Sequence, residues 1–338
     1  MRVVVTGANG FLGTAVVRRA LAVGHDVVGL VRPMTTLTGP LWDDPRVTVV
    51  RGDLRERGGW RDGLAGADAV IHLAAAPSGD LGTQFQGTVV ATENLLDAID
   101  LSMLRRFVHV SSFSVYDFDA PAVRGVIDET SALEPDPRRR DAYTTTKLIQ
   151  EQLVRDHLAA TGVELVVVRP GAVFGPGKNW AYGAAMSVGS KAVLVFAPRA
   201  TFRVTYVHNC ADAIVAAVDA PRAAGATVNL VDDNLPTHAE FMRLCRIAGA
   251  NVPAALPVPW LLLSAVGRLA AMVDRRFLDC RAKLPETLAI VRQRARWKPL
   301  HYPNAAAKSL LGWSPAVTIA DAVRETISAE REVVTPLP

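Results

Sequence analysis

Short apolar runs and longer amphipathic stretches take turns along the first two-thirds of this chain. Arg2–Thr6, Asp26–Val31, Val47–Arg51, Ala69–Leu73, Arg106–Ser111 and Glu164–Arg169 are rich in β-branched residues with little polar interruption. That is the pattern of strands buried on both faces. Between them, apolar residues recur at helical spacing near 11–23, 60–66, 88–100 and 142–160. The alternation predicts an α/β fold, a doubly wound parallel sheet with helices on both faces. Thr205–Ala220 reads as strand then helix, and Val228–Val231 as a late edge strand, so this part returns to the sheet.

After Gly171 the pattern turns loop-rich, with Gly175, Pro176, Gly177, Gly183 and Gly189. Residues 236–338 hold several helices punctuated by Pro253, Pro257, Pro259, Pro285, Pro299 and Pro315. A smaller, mostly helical lobe closing over the carboxyl ends of the strands is predicted, and that is where a pocket is expected. Its most apolar stretch, Trp260 to Val273, is interrupted by Arg268 and falls short of the roughly 20 residues that span a bilayer. It reads as a buried or substrate-covering helix, with a membrane-surface position beside Arg275 and Arg276 as the alternative.

The first strand runs into Thr6-Gly7-Ala8-Asn9-Gly10-Phe11-Leu12-Gly13, and Ala15, Val16, Val17, Ala20 and Leu21 follow at helical spacing. Strand, glycine turn, helix is the context that makes a glycine motif a dinucleotide site. Gly7 permits the tight turn, Gly10 the close approach of pyrophosphate, and Gly13 the packing of helix on strand. The helix N-terminus adds amide donors and a partial positive charge. The chain therefore divides into a Rossmann-type dinucleotide-binding domain, residues 1–170 with 203–232 returning to it, and a substrate-binding lobe of residues 171–202 and 233–338.

Composition narrows the partners. The length of 338 residues suits one nucleotide-binding domain plus a lobe, and 50% hydrophobic content supplies a core. The charge of +4 is modest and Arg138-Arg139-Arg140 is the one tight basic run, which argues for a solvated loop and against nucleic acid. Cys210, Cys245 and Cys280 are odd in number and lack a Cys-x-x-Cys pair, which argues against disulfides and structural zinc and suits a reducing cytoplasm. The first strand starts at residue 2, so no signal peptide is expected, nor any integral membrane segment.

Candidate chemistry centres on Tyr143-Thr144-Thr145-Thr146-Lys147, with Ser111-Ser112-Phe113-Ser114-Val115-Tyr116 upstream. Tyrosine and lysine four apart share a helix face, and an ammonium beside a phenol lowers its pKa, so the phenol can trade protons nearer neutrality. A serine hydroxyl at the same place can hold a substrate oxygen.

Thr-Gly-x-x-Gly-x-x-Gly, Ser-Ser-x-x-Val-Tyr and Tyr-x-x-x-Lys, in that order, resemble the extended short-chain dehydrogenase/reductase family, which includes nucleotide-sugar epimerases and 3β-hydroxysteroid dehydrogenase-like enzymes. Arg169-Pro170-Gly171-Ala172-Val173-Phe174-Gly175, Tyr206-Val207-His208-Asn209 and Leu311-Gly312-Trp313-Ser314-Pro315 match further landmarks. The resemblance implies Ser112 as the hydroxyl on the reacting oxygen, Tyr143 as general acid/base, and Lys147 as the holder of the nicotinamide ribose. Ser114 is a neighbour with a weaker claim. Asn9, Phe11 and Leu12 in the glycine turn, Asp53 and Leu54, and Leu73, Ala74 and Ala75 are implied around the cofactor, with Pro170 and Val173 against the carboxamide. His72 reads as a packed residue and Trp313 as core. The family's asparagine behind the lysine is replaced by Thr88, which leaves that detail of the proton relay open, whereas Asn94 matches.

The second strand ends Val31-Arg32 with no acid, and a guanidinium suits a 2′-phosphate, so NAD(P) is expected with NADP favoured over NAD. Three functions stay open. The first is an NAD(P)-dependent oxidoreductase acting on a largely apolar secondary alcohol or ketone. The second is a nucleotide-sugar epimerase, with Arg203 as a diphosphate clamp assisted by Lys178 and Asn179. The third is a non-catalytic dinucleotide-binding protein. The resemblance also implies a homodimer through the 88–100 and 142–160 helices.

Overall fold

The computed structural model describes residues 1–178, 185–188, 192–277 and 284–334. Asn179, Gly183, Gly189 and Cys280, named above, lie outside the described residues.

Strands β1 (Arg2–Thr6), β2 (Asp26–Val31), β3 (Val47–Arg51), β4 (Ala69–His72), β5 (Arg106–Val110) and β6 (Glu164–Pro170) form where the apolar runs predict them. Beyond them come β7 (Ala172–Phe174), β8 (Ala185–Val188), β9 (Ala192–Phe196), β10 (Val204–Tyr206), β11 (Thr227–Leu230) and β12 (Ala254–Val258). Among the described residues a seven-stranded sheet has the order β11-β6-β5-β4-β1-β2-β3, every pair parallel. Chain order reverses between β1 and β4, the switch point at which doubly wound sheets open a ligand crevice.

Alternation along each strand feeds two cores. Val3 and Val5 point to one face with Val108, Val110, Val166 and Val168, under α1 (Phe11–Ala22). Val4, Val28, Val70 and Phe107 point to the other, where Leu95 and Leu96 pack with Val154 and Leu158. The helix expected near 88–100 starts earlier. It runs as α2 (Leu81–Phe85), a wide π-type turn over Gln86–Val90, and α3 (Ala91–Leu96). The segment expected as a helix at 60–66 is a 3-10 turn, Gly59–Leu64, because Gly59 and Gly63 give a longer helix no support. Helix α4 (Ala142–Leu158) is capped by Asp141, whose Oδ1 accepts from the Thr144 amide at 2.7 Å.

Helix α5 (Val207–Asp219) joins α1 on its face of the sheet. The carboxyl-terminal part holds α6 (His238–Ile247), α7 (Trp260–Phe277), α8 (Ile290–Trp297), α9 (Ala305–Leu311) and α10 (Ile319–Val334). β12, which the proline-punctuated pattern hid, joins β9 and β8 from the loop-rich segment in a three-stranded sheet, and β10, the strand expected before α5, pairs with β7. Trp313 is core, its indole donating to the Asn209 carbonyl at 3.0 Å.

Candidate active site

A cavity of about 420 Å³ lies at the switch point. The glycine turn forms one wall, with Gly7, Asn9 and Gly10. Gly7 has φ +65°, in the left-handed region that glycine tolerates, and the Gly10 amide closes the turn on the Gly7 carbonyl at 3.0 Å. A Cβ on Gly13 would overlap that same carbonyl oxygen, which is the close packing of helix on turn that the spacing predicts. Phe11, Leu12 and Gly13 open α1 and stand outside the cavity lining. Lys178 lies over the Phe11 ring, 5.4 Å from its centroid.

Leu73, Ala74 and Ala75 form the opposite wall. Thr6, the first residue of the glycine motif, ties the two walls together. Its Oγ1 accepts from the Leu73 and Ala74 amides, both at 3.1 Å, and meets His72 Nδ1 at 2.8 Å. Arg32, Asp53 and Leu54 line the far end. The Asp53 carboxylate is chelated by Arg55, with Nη2 on Oδ2 at 2.6 Å, and this hydrogen bonding holds its pKa below the usual range against partial burial. Asp53 thus reaches any ligand already paired with a guanidinium.

Ser112 follows β5 and caps a short turn, its Oγ accepting from the Ser114 amide at 3.1 Å. Its side chain favours the phenolate of Tyr143, which sits in the first turn of α4; Ser112, Tyr143 and Lys147 all stand outside the cavity lining. Ser114 Oγ is buried without a hydrogen-bond partner among the described residues. One turn beyond Tyr143, Lys147 is buried, and Nζ donates to the Val110 carbonyl at 2.8 Å and Gln150 Oε1 at 2.7 Å.

Hydrogen-bond directions behind Lys147 can be assigned by elimination. Thr92 Oγ1 donates to the Thr88 carbonyl at 2.6 Å, so at its 2.8 Å contact with His72 Nε2 the histidine must donate. His72 Nδ1 then accepts from Thr6, and Gln150 Nε2 donates to Thr92 Oγ1 at 2.8 Å and to the Ala74 carbonyl at 3.2 Å. With the proton on Nε2, the 3.1 Å approach of Gln150 Nε2 to His72 Nε2 is a contact between two donors and not a hydrogen bond. Burial, with the Lys147 charge adding, lowers the His72 pKa to about 3, so the ring stays neutral. His72 is a packed, bonded residue, as its position suggested.

The structure differs from the expected coupling of ammonium to phenol. Burial raises the Tyr143 pKa, the Ser112 hydroxyl opposes the rise, and Asp141 adds to it. Lys147 itself is drawn down to about 7 by burial, against the pull of Glu151. The amine is turned onto Val110 and Gln150, so its charge is spent in the interior. Sequence reasoning missed Gln150; its spacing of three from Lys147 on one helix face was the available signal. Thr88, in place of the family's asparagine, accepts from the Ala76 amide at 3.0 Å and serves the cavity wall. Asn94 holds the loop after β3, donating to the Leu54 carbonyl at 2.8 Å.

Pro170 ends β6 beside Leu230, and Val173 pairs with Thr205; both stand outside the cavity lining. Arg203 is engaged elsewhere. Its guanidinium donates to the Ala295 carbonyl at 2.8 Å and stacks over Phe118 and Tyr302, 4.7 and 5.7 Å from their centroids.

A profile of the NAD dependent epimerase/dehydratase family matches residues 3–230. The chain is similar to the 3-beta-hydroxysteroid dehydrogenase of Mycolicibacterium neoaurum, 28% identical over 349 residues that cover 96% of this chain and 90% of the relative. It is 27% identical over 350 residues, covering 96% and 79%, to the 3beta-hydroxysteroid-dehydrogenase/decarboxylase isoform 1 of Arabidopsis thaliana. Among solved structures, UDP-glucuronic acid 4-epimerase from Bacillus cereus in complex with NAD superposes with a TM-score of 0.73 at 20% identity, covering 99% of this chain and 100% of that one. That likeness speaks for the fold.

Proposed function

Because this chain belongs to the NAD-dependent epimerase/dehydratase family, the extended branch of the short-chain dehydrogenases/reductases, we propose that it is an NAD(P)-dependent oxidoreductase interconverting an apolar secondary alcohol and its ketone. The observation that carries the reading is the chain of contacts from Lys147 through Gln150 to the Ala74 carbonyl, which joins the Tyr-x-x-x-Lys helix to the wall of the crevice framed by the glycine turn.

The crevice fits a dinucleotide. Gly7 and Gly10 offer bare backbone, the start of α1 offers amides for phosphates, and Arg32 stands where a 2′-phosphate would be met, so we assign NADP over NAD. A bound nicotinamide supplies the hydride donor or acceptor. Ser112 Oγ donates to the substrate oxygen, and Tyr143 Oη gives or takes the proton on that oxygen. Lys147 would hold the ribose hydroxyls through the one Nζ donor that Val110 and Gln150 leave over. Leu73, Ala74 and Ala75 would let the cofactor pass with little side-chain bulk, and Pro170 and Val173 would hold its carboxamide.

Arg203, packed between two rings and bonded to a carbonyl, is not free to clamp a diphosphate in this conformation, which favours the oxidoreductase over the nucleotide-sugar epimerase. Residues 1–170 with 203–232 are assigned to the cofactor and 171–202 with 233–338 to the substrate, and two copies pair through α3 and α4.

The test is turnover of sterol-like, flavonoid-like and aromatic carbonyl compounds with NADPH and NADH, run beside Tyr143→Phe. Tyr143→Phe is expected to lose on the order of 10²- to 10⁴-fold in kcat with cofactor affinity unchanged. An unchanged rate removes Tyr143 from its role. Silence on every carbonyl compound, with heat of binding from a UDP-sugar, moves the assignment to the epimerase.

A further inference from the structure

Helix α7 (Trp260–Phe277) turns its apolar side outward. Leu263 is buried in a cluster with Phe196, Ala200 and Trp297, and Gly267 lies so close to Gln293 of α8 that a Cβ would overlap its amide group. The opposite side carries Leu261, Leu262, Leu269, Met272, Val273 and Phe277, which are 80%, 56%, 56%, 60%, 39% and 73% exposed. At 3.6 residues per turn these six fall within one arc of roughly 160°, a contiguous apolar face of a kind that monomers rarely leave open.

Charge completes the face. Arg268 and Arg275 border the arc on one edge and Arg276 rises within it, all three exposed. Asp274 is the acid of this helix and projects on the side away from the arc. A second copy laid on the face would set these arginines against their own equivalents with no acid on the arc to answer them. An anionic lipid surface answers both features at once: headgroup charge meets the guanidinium groups, whose long stems reach up from the apolar plane, and the acyl boundary takes the leucines and Phe277. Among the described residues no helix is long and apolar enough to cross a membrane, so the contact lies along the surface.

We propose that the exposed face of α7 seats this protein on anionic membrane surfaces, with Leu261, Leu262, Leu269, Met272 and Phe277 entering the interface and Arg268, Arg275 and Arg276 contacting the headgroups. The proposal is independent of the reaction assigned above. Co-sedimentation of the whole protein with vesicles of phosphatidylcholine alone, or of phosphatidylcholine with phosphatidylglycerol, tests it.

The expected result is pelleting with the phosphatidylglycerol vesicles, several-fold less with phosphatidylcholine alone, and release in 0.5 M salt. Leu262→Glu/Leu269→Glu is expected to lower partitioning at least tenfold with an unchanged circular dichroism spectrum, because both positions face solvent. Arg268→Gln/Arg275→Gln/Arg276→Gln is expected to abolish the difference between the two vesicle types. Wild-type protein staying in the supernatant with phosphatidylglycerol vesicles overturns the proposal. So does light scattering that shows a dimer split by Leu262→Glu/Leu269→Glu, which would mean that a second copy covers the face.

Discussion

Lys147→Met isolates the cost of holding an amine in this interior. Burial lowers the Lys147 pKa from the ordinary 10.5 to about 7. Between those two pH values the unfolded chain keeps a proton that the folded chain has released, so stability rises with pH across the window. Below about pH 7 both states are protonated and the penalty of burying the charge is present in full. Above about 10.5 both are neutral and it is gone. At about 1.36 kcal/mol per unit, the full penalty is on the order of 5 kcal/mol.

Methionine fills a similar volume without charge, but it leaves the Val110 carbonyl and Gln150 Oε1 without their donor. Each orphaned acceptor costs about 1–3 kcal/mol, and that cost does not vary with pH. Near pH 6 the relief of charge and the loss of hydrogen bonds therefore nearly offset, and the variant stands close to wild type. As pH rises the wild type sheds its penalty and the variant cannot. Wild type should gain roughly 3 kcal/mol on Lys147→Met between pH 6 and pH 9. Urea denaturation followed by tryptophan fluorescence at pH 6, 7, 8 and 9 measures the difference, in which the other titrating groups cancel. A difference that stays constant to within about 0.5 kcal/mol would refute the reasoning and return Lys147 to an ordinary ammonium.

Three further outcomes follow from the same geometry. Gly13→Ala places a methyl group against the Gly7 carbonyl; it should cost about 1–3 kcal/mol in stability by thermal melting and weaken NADPH binding. Arg32→Ala should weaken NADPH binding roughly 10- to 100-fold, the worth of a hydrogen bond to a charged group, while leaving NADH unchanged in a fluorescence titration; equal losses for both cofactors would refute a 2′-phosphate contact. His109→Leu should stabilise the fold by about 1 kcal/mol or more in urea, since both ring nitrogens are buried without a partner among the described residues; destabilisation would mean that the ring is satisfied by buried water.

The sheet was legible because its inner strands are sealed on both faces, and the edge strand β3, none of whose residues is buried, still keeps its β-branched run. Val3, Val4 and Val5 have no solvent-facing position between them, so continuous apolar runs marked β1 to β6 to within a residue or so. The small sheet was not legible for the converse reason: Ala254 to Pro257 are exposed along β12 and carry a proline, so no burial pattern announced a strand. In the site, the spacing of Tyr143, Lys147 and Ser112 predicted which groups would share a neighbourhood, because one helix face and one strand end determine that much. It did not predict where the amine points. That depends on Gln150, Thr92, His72 and Ala74, from a helix, a helix, a strand and a loop whose approach no spacing encodes. Arg203 makes the same point: an arginine before a strand reads as a free cation until Phe118, Tyr302 and Ala295 close around it. Motifs locate functional groups along the chain, and the directions of their hydrogen bonds, which decide proton affinities, are a property of the packed interior.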